Sequence, residues 1–166
     1  MKNPIEPWLR GPVPGLDPVL GAVLHAFQHA REELAECSEG LTAEQIWSRP
    51  GGVAALGFHI RHVGGAAERL ATYATGQQLS ERQTGEMRCE VDPGASREEL
   101  LAELERRLGW CESAIRGIDP ATLAEPRGVG RKQLPTTVAG LLVHIAEHAM
   151  RHTGQAVTTA MLIRGT

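Results

Sequence analysis

A chain of 166 residues, 42% of them hydrophobic, is long enough to enclose a true core, so neither a metal nor a disulfide is needed merely for it to fold. Its 17 Lys and Arg are scattered among 20 Asp and Glu for a formal net charge of −3, which leaves no basic stripe for a nucleic acid. No apolar run approaches the roughly 18 residues of a membrane span, and the opening MKNPIEPWLRGPVPG is too rich in proline and charge for a signal peptide. A single cytoplasmic domain over residues 1–166 is expected.

Residues 1–15 read as an extended N-terminal segment on the surface, with Trp8 as its pin. Asp17-Pro18 sets an N-cap beside a proline at the first helical position and predicts a helix from there to about Glu39, where Gly40 stops it. In LTAEQIWSRP, Thr42 and Gln45 form a capping box for one short turn. A second long helix is predicted from about Val53 to Thr75, closed by Gly76 in the left-handed conformation. The third opens on the capping box Ser96 and Glu99 and carries Leu100, Leu104, Leu108, Cys111 and Ile115 at steps of three and four.

The fourth helix is expected from Thr136 or Thr137 to about Ile163. Before it, IDPATLAEPRGVGRKQLP is too rich in Gly and Pro for a long helix and should cross the end of the bundle, with room for a short extended pair. The predicted fold is all-α: a four-helix bundle with short extra helices and a longer crossover before the last helix. Cys37, Cys89 and Cys111 are odd in number, widely spaced and without a CxxC pairing, so they read as reduced thiols, with Cys111 in the core.

All seven histidines fall on predicted helices, and all are grouped: His25 with His29, His59 with His62, and His144 with His148 and His152. Positions four apart on a helix stack with a drift of about 40°, so neighbouring imidazoles can share an ion while the outer two of three sit about 12 Å apart. One ion can therefore be held by two members of the last group but not by all three. An i,i+4 pair plus one imidazole from another helix gives three protein ligands and an open position, the arrangement of a catalytic zinc site. His25 and His29 read as helix surface, with a pocket wall or an outer hydrogen bond as their functional alternative.

His144-Ile-Ala-Glu147-His148 formally matches the H-x-x-E-H pattern of inverted zinc proteases. Those enzymes need a further acidic ligand downstream, and Ala149 to Thr166 contains no Asp or Glu. Protease chemistry is thereby excluded, and Glu147 is expected to face solvent. Gly154, inside the fourth helix, costs about 1 kcal/mol relative to alanine and is expected to mark close packing or the approach of a ligand.

The stretches GFHIRHVGGAAERL and LLVHIAEHAMRHTGQ together resemble the DinB/YfiT-like superfamily of small bacterial four-helix proteins. The fourth-helix signature, a His, three residues, a His, one residue and Gly-Gln, falls on His148, His152, Gly154 and Gln155, with His144 four residues earlier. The second-helix signature falls on His62 and runs through Glu68-Arg69-Leu70. Many relatives carry an acidic residue soon after that His; here Gly64 and Gly65 stand in its place, so no carboxylate is assigned to the site.

The resemblance implies one divalent ion held by His62, His148 and His152, with water or substrate completing the shell. Zinc or nickel is expected, with iron, copper or manganese behind them, because imidazole donors do not choose among these ions. His144 and His59 become candidates for orienting a ligand or moving protons, and Gln155 for a hydrogen bond to a metal-bound group or to a neighbouring element. Several members of the superfamily are transferases that use a low-molecular-weight thiol, so the implied activity is a metal-dependent thiol S-transfer to a small electrophile, with the loop 126–136 at the pocket mouth. A hydrolase using the same site and a non-catalytic metal-binding or stress-response bundle are the alternatives. The expected partner is a small-molecule substrate, with pairing of helical faces into a homodimer as a further expectation.

Overall fold

The structure, a computed structural model, describes residues 5–165. Four long helices form the body: α1 (Pro18–Cys37), α3 (Leu56–Ala74), α5 (Arg97–Arg116) and α6 (Val138–Arg164). Two short helices, α2 (Ala43–Trp47) and α4 (Glu81–Arg88), and an antiparallel pair, β1 (Pro126–Val129) with β2 (Leu134–Thr137), fill the connections. The hairpin register places Arg127 opposite Thr136 and Gly128 opposite Pro135. The all-α reading holds, and the two strands are the short extended pair for which the Gly- and Pro-rich segment left room.

The helices begin where side chains can satisfy free backbone N–H groups. Asp17 Oδ1 accepts from Val19 N at 2.8 Å, and the Thr42/Gln45 and Ser96/Glu99 capping boxes both form. Thr137 Oγ1 accepts from Gly140 N at 3.0 Å and starts α6, which ends on Gly165 at φ 73°. Gly76, at φ 82°, follows the end of α3 as predicted. α3 starts at Leu56 rather than Val53, because Gly51 (φ 60°) and Gly52 (φ 84°) hold the preceding chain in a turn that no helix can continue. α1 ends at Cys37, two residues before the expected Glu39.

α3 lies between α5 and α6, and α1 closes the ring mainly against α6. The stripe Leu100, Leu104, Leu108, Cys111 and Ile115 is fully buried among Phe27, Leu34, Ile60, Leu142 and Ile145. The cysteines are free thiols, and burial raises the Cys111 thiol far above its ordinary range. No helix among the described residues is long and apolar enough to cross a membrane.

Three expectations are corrected. α4 was not predicted: it has no apolar stripe, although its Ser80/Gln83 capping box is complete. Of the extended N-terminal segment, residues 1–4 lie outside the described ones; Trp8 does not pin the rest, being 61% exposed and bonded only to nearby Glu6. Arg10 fastens the segment instead, its guanidinium forked onto Glu32 of α1 at 2.5 and 2.7 Å. The third concerns the loop 126–136, which packs on the far end of α3, where Arg127 Nε donates to Ala74 O at 3.1 Å. Ala74 is about 18 Å along the axis from His62, so this hairpin lies away from the His62 end of α3.

Candidate metal centre

α3 and α6 pack side by side along most of their lengths, and the facing stripes carry His59 and His62 on one and His148 and His152 on the other. His62 Nε2 lies 3.0 Å from His148 Nε2, and the ring of His152 sits 4.4 Å from that of His62 and 4.6 Å from that of His148. One donor atom from each of His62, His148 and His152 falls within 4.8 Å of the other two. This cluster can hold a metal ion. Four-coordinate zinc with nitrogen ligands at about 2.0–2.1 Å needs its donors roughly 3.3 Å apart, close to the spacing of the His62–His148 pair.

The donor chemistry fits as well. Burial, reinforced by the neighbouring His62, lowers both His148 and His152 to about 4, so at neutral pH they offer lone pairs rather than positive charges. The His62 Nε2–His148 Nε2 contact is one that a single N–H···N hydrogen bond, or an ion lying between two lone pairs, can satisfy. Phe58 stacks on His62 with ring centres 5.0 Å apart and limits its rotation. His148 Nδ1 is buried without a hydrogen-bond partner.

The other predicted residues take distinct places. His59 is buried, with Nδ1 3.1 Å from His152 Nδ1, and burial followed by the proximity of His62 lowers it to about 4. His144 is exposed one turn before His148, its Nδ1 3.0 Å from Glu147 Oε2. Glu147 faces solvent as expected and also pairs with Arg151. Of the fourth-helix ladder, then, only His148 and His152 join the cluster.

Gly154 is not closely packed, as nothing lies within 4 Å of where its Cβ would be. It opens instead onto a hollow of about 410 Å³, bounded by Val53, Ala54, His59, Arg151, Gln155 and Leu162. Gln155 is exposed there rather than bonded across helices. His25 and His29 are half-buried on α1, in a separate hollow of about 640 Å³ with Val13, Leu16 and Met150.

The residue that the sequence reading missed is Glu90, two positions beyond α4. Its Oε2 lies 2.6 Å from His62 Nδ1, its Oε1 accepts from Arg69 Nη1 at 2.5 Å, and its side chain is 6% exposed. Burial alone would raise its carboxyl, but the His62 and Arg69 contacts outweigh it and hold the group below its usual range. A carboxylate does therefore reach the site, from outside the second-helix motif. The available signal was the Gly64-Gly65 pair: a Cβ on Gly65 would overlap Glu90 Oε1, and one on Gly64 would lie 3.1 Å from Arg107 Cδ.

The family model of the DinB superfamily matches residues 13–156, which takes in α1, α3, α5, most of α6 and every histidine. No curated protein matches the chain. With a match over most of its length and a three-histidine cluster on the two helices that carry the motifs, the chain belongs to the DinB superfamily.

Proposed function

We propose that this protein is a divalent-metal-dependent thiol S-transferase acting on a small electrophile, with His62, His148 and His152 as the metal ligands. The observation that carries the reading is a set of three clustered imidazoles, two of them held neutral, with no fourth side chain among the described residues to close the set. Structural zinc sites are closed by four protein ligands, whereas three leave a place for an exchangeable one. Zinc or nickel is the expected ion. Such an ion lowers the pKa of a coordinated thiol and so supplies a thiolate nucleophile at neutral pH.

The chain's own residues have separable tasks in this reading. His59, against His152 Nδ1, orients that ring. His144, which is exposed and paired with Glu147, passes the thiol proton to solvent in this reading. The hollow beside His59, with Val53, Ala54 and Leu162 as apolar wall and Arg151 and Gln155 at its edge, has room for a small substrate. In the transfer a carbon–sulfur bond forms as the leaving group departs with the bonding pair. The protein's own cysteines are poor sources of the sulfur: burial raises Cys37 to about 11 and Cys111 further, and the hydrogen bond with Asp92 raises exposed Cys89, so a free low-molecular-weight thiol is the proposed nucleophile.

Metal content of the untagged protein, measured by mass spectrometry beside a His62→Ala, His148→Ala, His152→Ala variant, tests the site. About one divalent ion per chain in the parent and none in a still-helical variant is the expected result, and equal content in both would sink it. The loaded protein is then assayed with small thiols and an activated aryl chloride. Thiol-independent hydrolysis of an ester panel with no thioether formed would favour the hydrolase. A tightly held, non-exchanging ion whose removal unfolds the bundle would favour a structural role.

A further inference from the structure

We infer that Glu90 is a positioning residue of the metal centre: it fixes the tautomer and orientation of His62 so that Nε2 presents its lone pair to the ion. The inference rests on His62 being a ligand, but its physical basis is the Glu90–His62 contact itself. A carboxylate only accepts hydrogen bonds, so the 2.6 Å contact places a proton on His62 Nδ1. A neutral imidazole protonated at Nδ1 has its lone pair on Nε2, the atom that faces His148. An ionised partner at Nδ1 also makes the ring a stronger donor.

The surroundings of Glu90 are built for this. Its second oxygen is engaged by Arg69, so the carboxylate stays ionised and cannot swing away. Gly65 leaves the space that the carboxylate fills. The segment carrying Glu90 is fastened to α3 on both sides. Upstream, Gln83 Nε2 donates to Thr72 Oγ1 at 2.8 Å and Arg82 Nη2 to Glu68 Oε1 at 2.5 Å. Closer in, Arg61 Nη1 brackets Glu90, donating to Cys89 O at 3.1 Å just before it and to Asp92 O at 2.8 Å just after it. α4 and the turn after it therefore carry a side chain that no long helix of the bundle supplies.

Glu90→Gln makes the discriminating change. The amide has a single carbonyl oxygen, and Arg69, which can only donate, claims it. The NH₂ group is then left facing His62 Nδ1, which must accept, so the ring proton moves to Nε2 and blocks the donor. Long-range proton–nitrogen NMR of the metal-free protein reads the tautomer directly: Nδ1–H on His62 in the parent, Nε2–H in the variant. Zinc affinity by chelator competition should fall about ten- to a hundredfold with helical circular dichroism unchanged. In a His62→Ala background the same substitution should have no further effect on affinity, which a merely structural role would not produce.

Should Glu90→Gln fold poorly, Gly65→Ala displaces the carboxylate without removing it and should show the same tautomer and affinity changes. An unchanged His62 tautomer with parental zinc affinity would overturn the inference. A parent that binds no metal would overturn the three-histidine reading and with it the role of Glu90, whereas a metal-binding parent indifferent to Glu90→Gln would sink this inference alone.

Discussion

Helix α3 carries two buried polar clusters that answer the cost of burial in opposite ways. Around Glu68 every charge is matched: its carboxylate takes Arg107 at 2.6 Å and Arg82 at 2.5 Å, and Arg107 reaches Glu86 and Glu103, each at 2.9 Å. Around His62 the matching is incomplete: the imidazole nitrogens of His62 and His148 meet in one hydrogen bond at 3.0 Å, but His148 Nδ1 is buried without a partner. A buried polar group without a partner costs roughly 1–3 kcal/mol, and this one sits beside three clustered imidazoles. The matched cluster needs nothing more and is structural; the unmatched one is the cluster that a ligand would complete.

The sharpest way to break this comparison is to remove Arg107. Glu68, with a side chain only 6% exposed, would lose a major partner, and Arg107→Met should cost about 3–5 kcal/mol of stability in urea unfolding while metal content per folded chain stays at the parent value. A loss of metal at preserved stability would mean that the two clusters are one unit. The complementary change, His148→Ala, should leave the metal-free protein within about 1 kcal/mol of the parent and abolish stabilisation by zinc. That stabilisation should reach about 2.7 kcal/mol in the parent when free zinc is a hundred times its Kd. Zinc-dependent thermal shifts in both proteins provide the measurement.

Acid should separate the clusters without any mutation. His59, His148 and His152 sit at about 4, below their ordinary 6.5, so on acidification the unfolded chain takes up protons first. The metal-free protein should therefore lose stability as pH falls from 6.5 towards 4. For Glu86, burial raises the carboxyl but Arg82 and Arg107 outweigh it and bring it below 4.5, so its contribution is lost only at lower pH. Denaturant midpoints taken at successive pH values should fall in two windows. His148→Ala should shrink the upper window and leave the lower one in place.

How far each cluster could be read from sequence follows from how local its signals are. Capping boxes and the Leu100 to Ile115 stripe are defined by residues three and four apart, so the long helices were legible with errors of two or three residues at their ends. The histidines were legible because helical spacing put each group on one face and the family motif linked the two faces. Glu90 was not, since nothing near it in the chain ties it to a ring 28 positions away. Its carrier α4 was missed because a polar helix has no apolar period and only its Ser80/Gln83 box marks it. The Gly64-Gly65 pair was visible, but its meaning was not: it reads as a missing carboxylate until the carboxylate that fills the gap is seen.

The smallest effect is expected where pairing happens without burial. Arg10 and Glu32 form a two-pronged contact as short as those around Glu68, yet both side chains keep about a quarter of their exposure, at 24% and 23%. If matching alone made the inner network strong, Arg10→Ala would cost as much as Arg107→Met. Water screens the outer pair, so the expected loss is small, seen as easier proteolysis of the N-terminal segment rather than as a shift in global unfolding. The hydrogen bond from Arg10 brings the Glu32 carboxyl down from 4.5 to about 2. The contribution is thus fully present above pH 4.5 and lost as pH falls through about 2. A proteolysis rate that stays flat through that window would show that Pro7 and Val13, packed against α1, hold the segment without the ion pair.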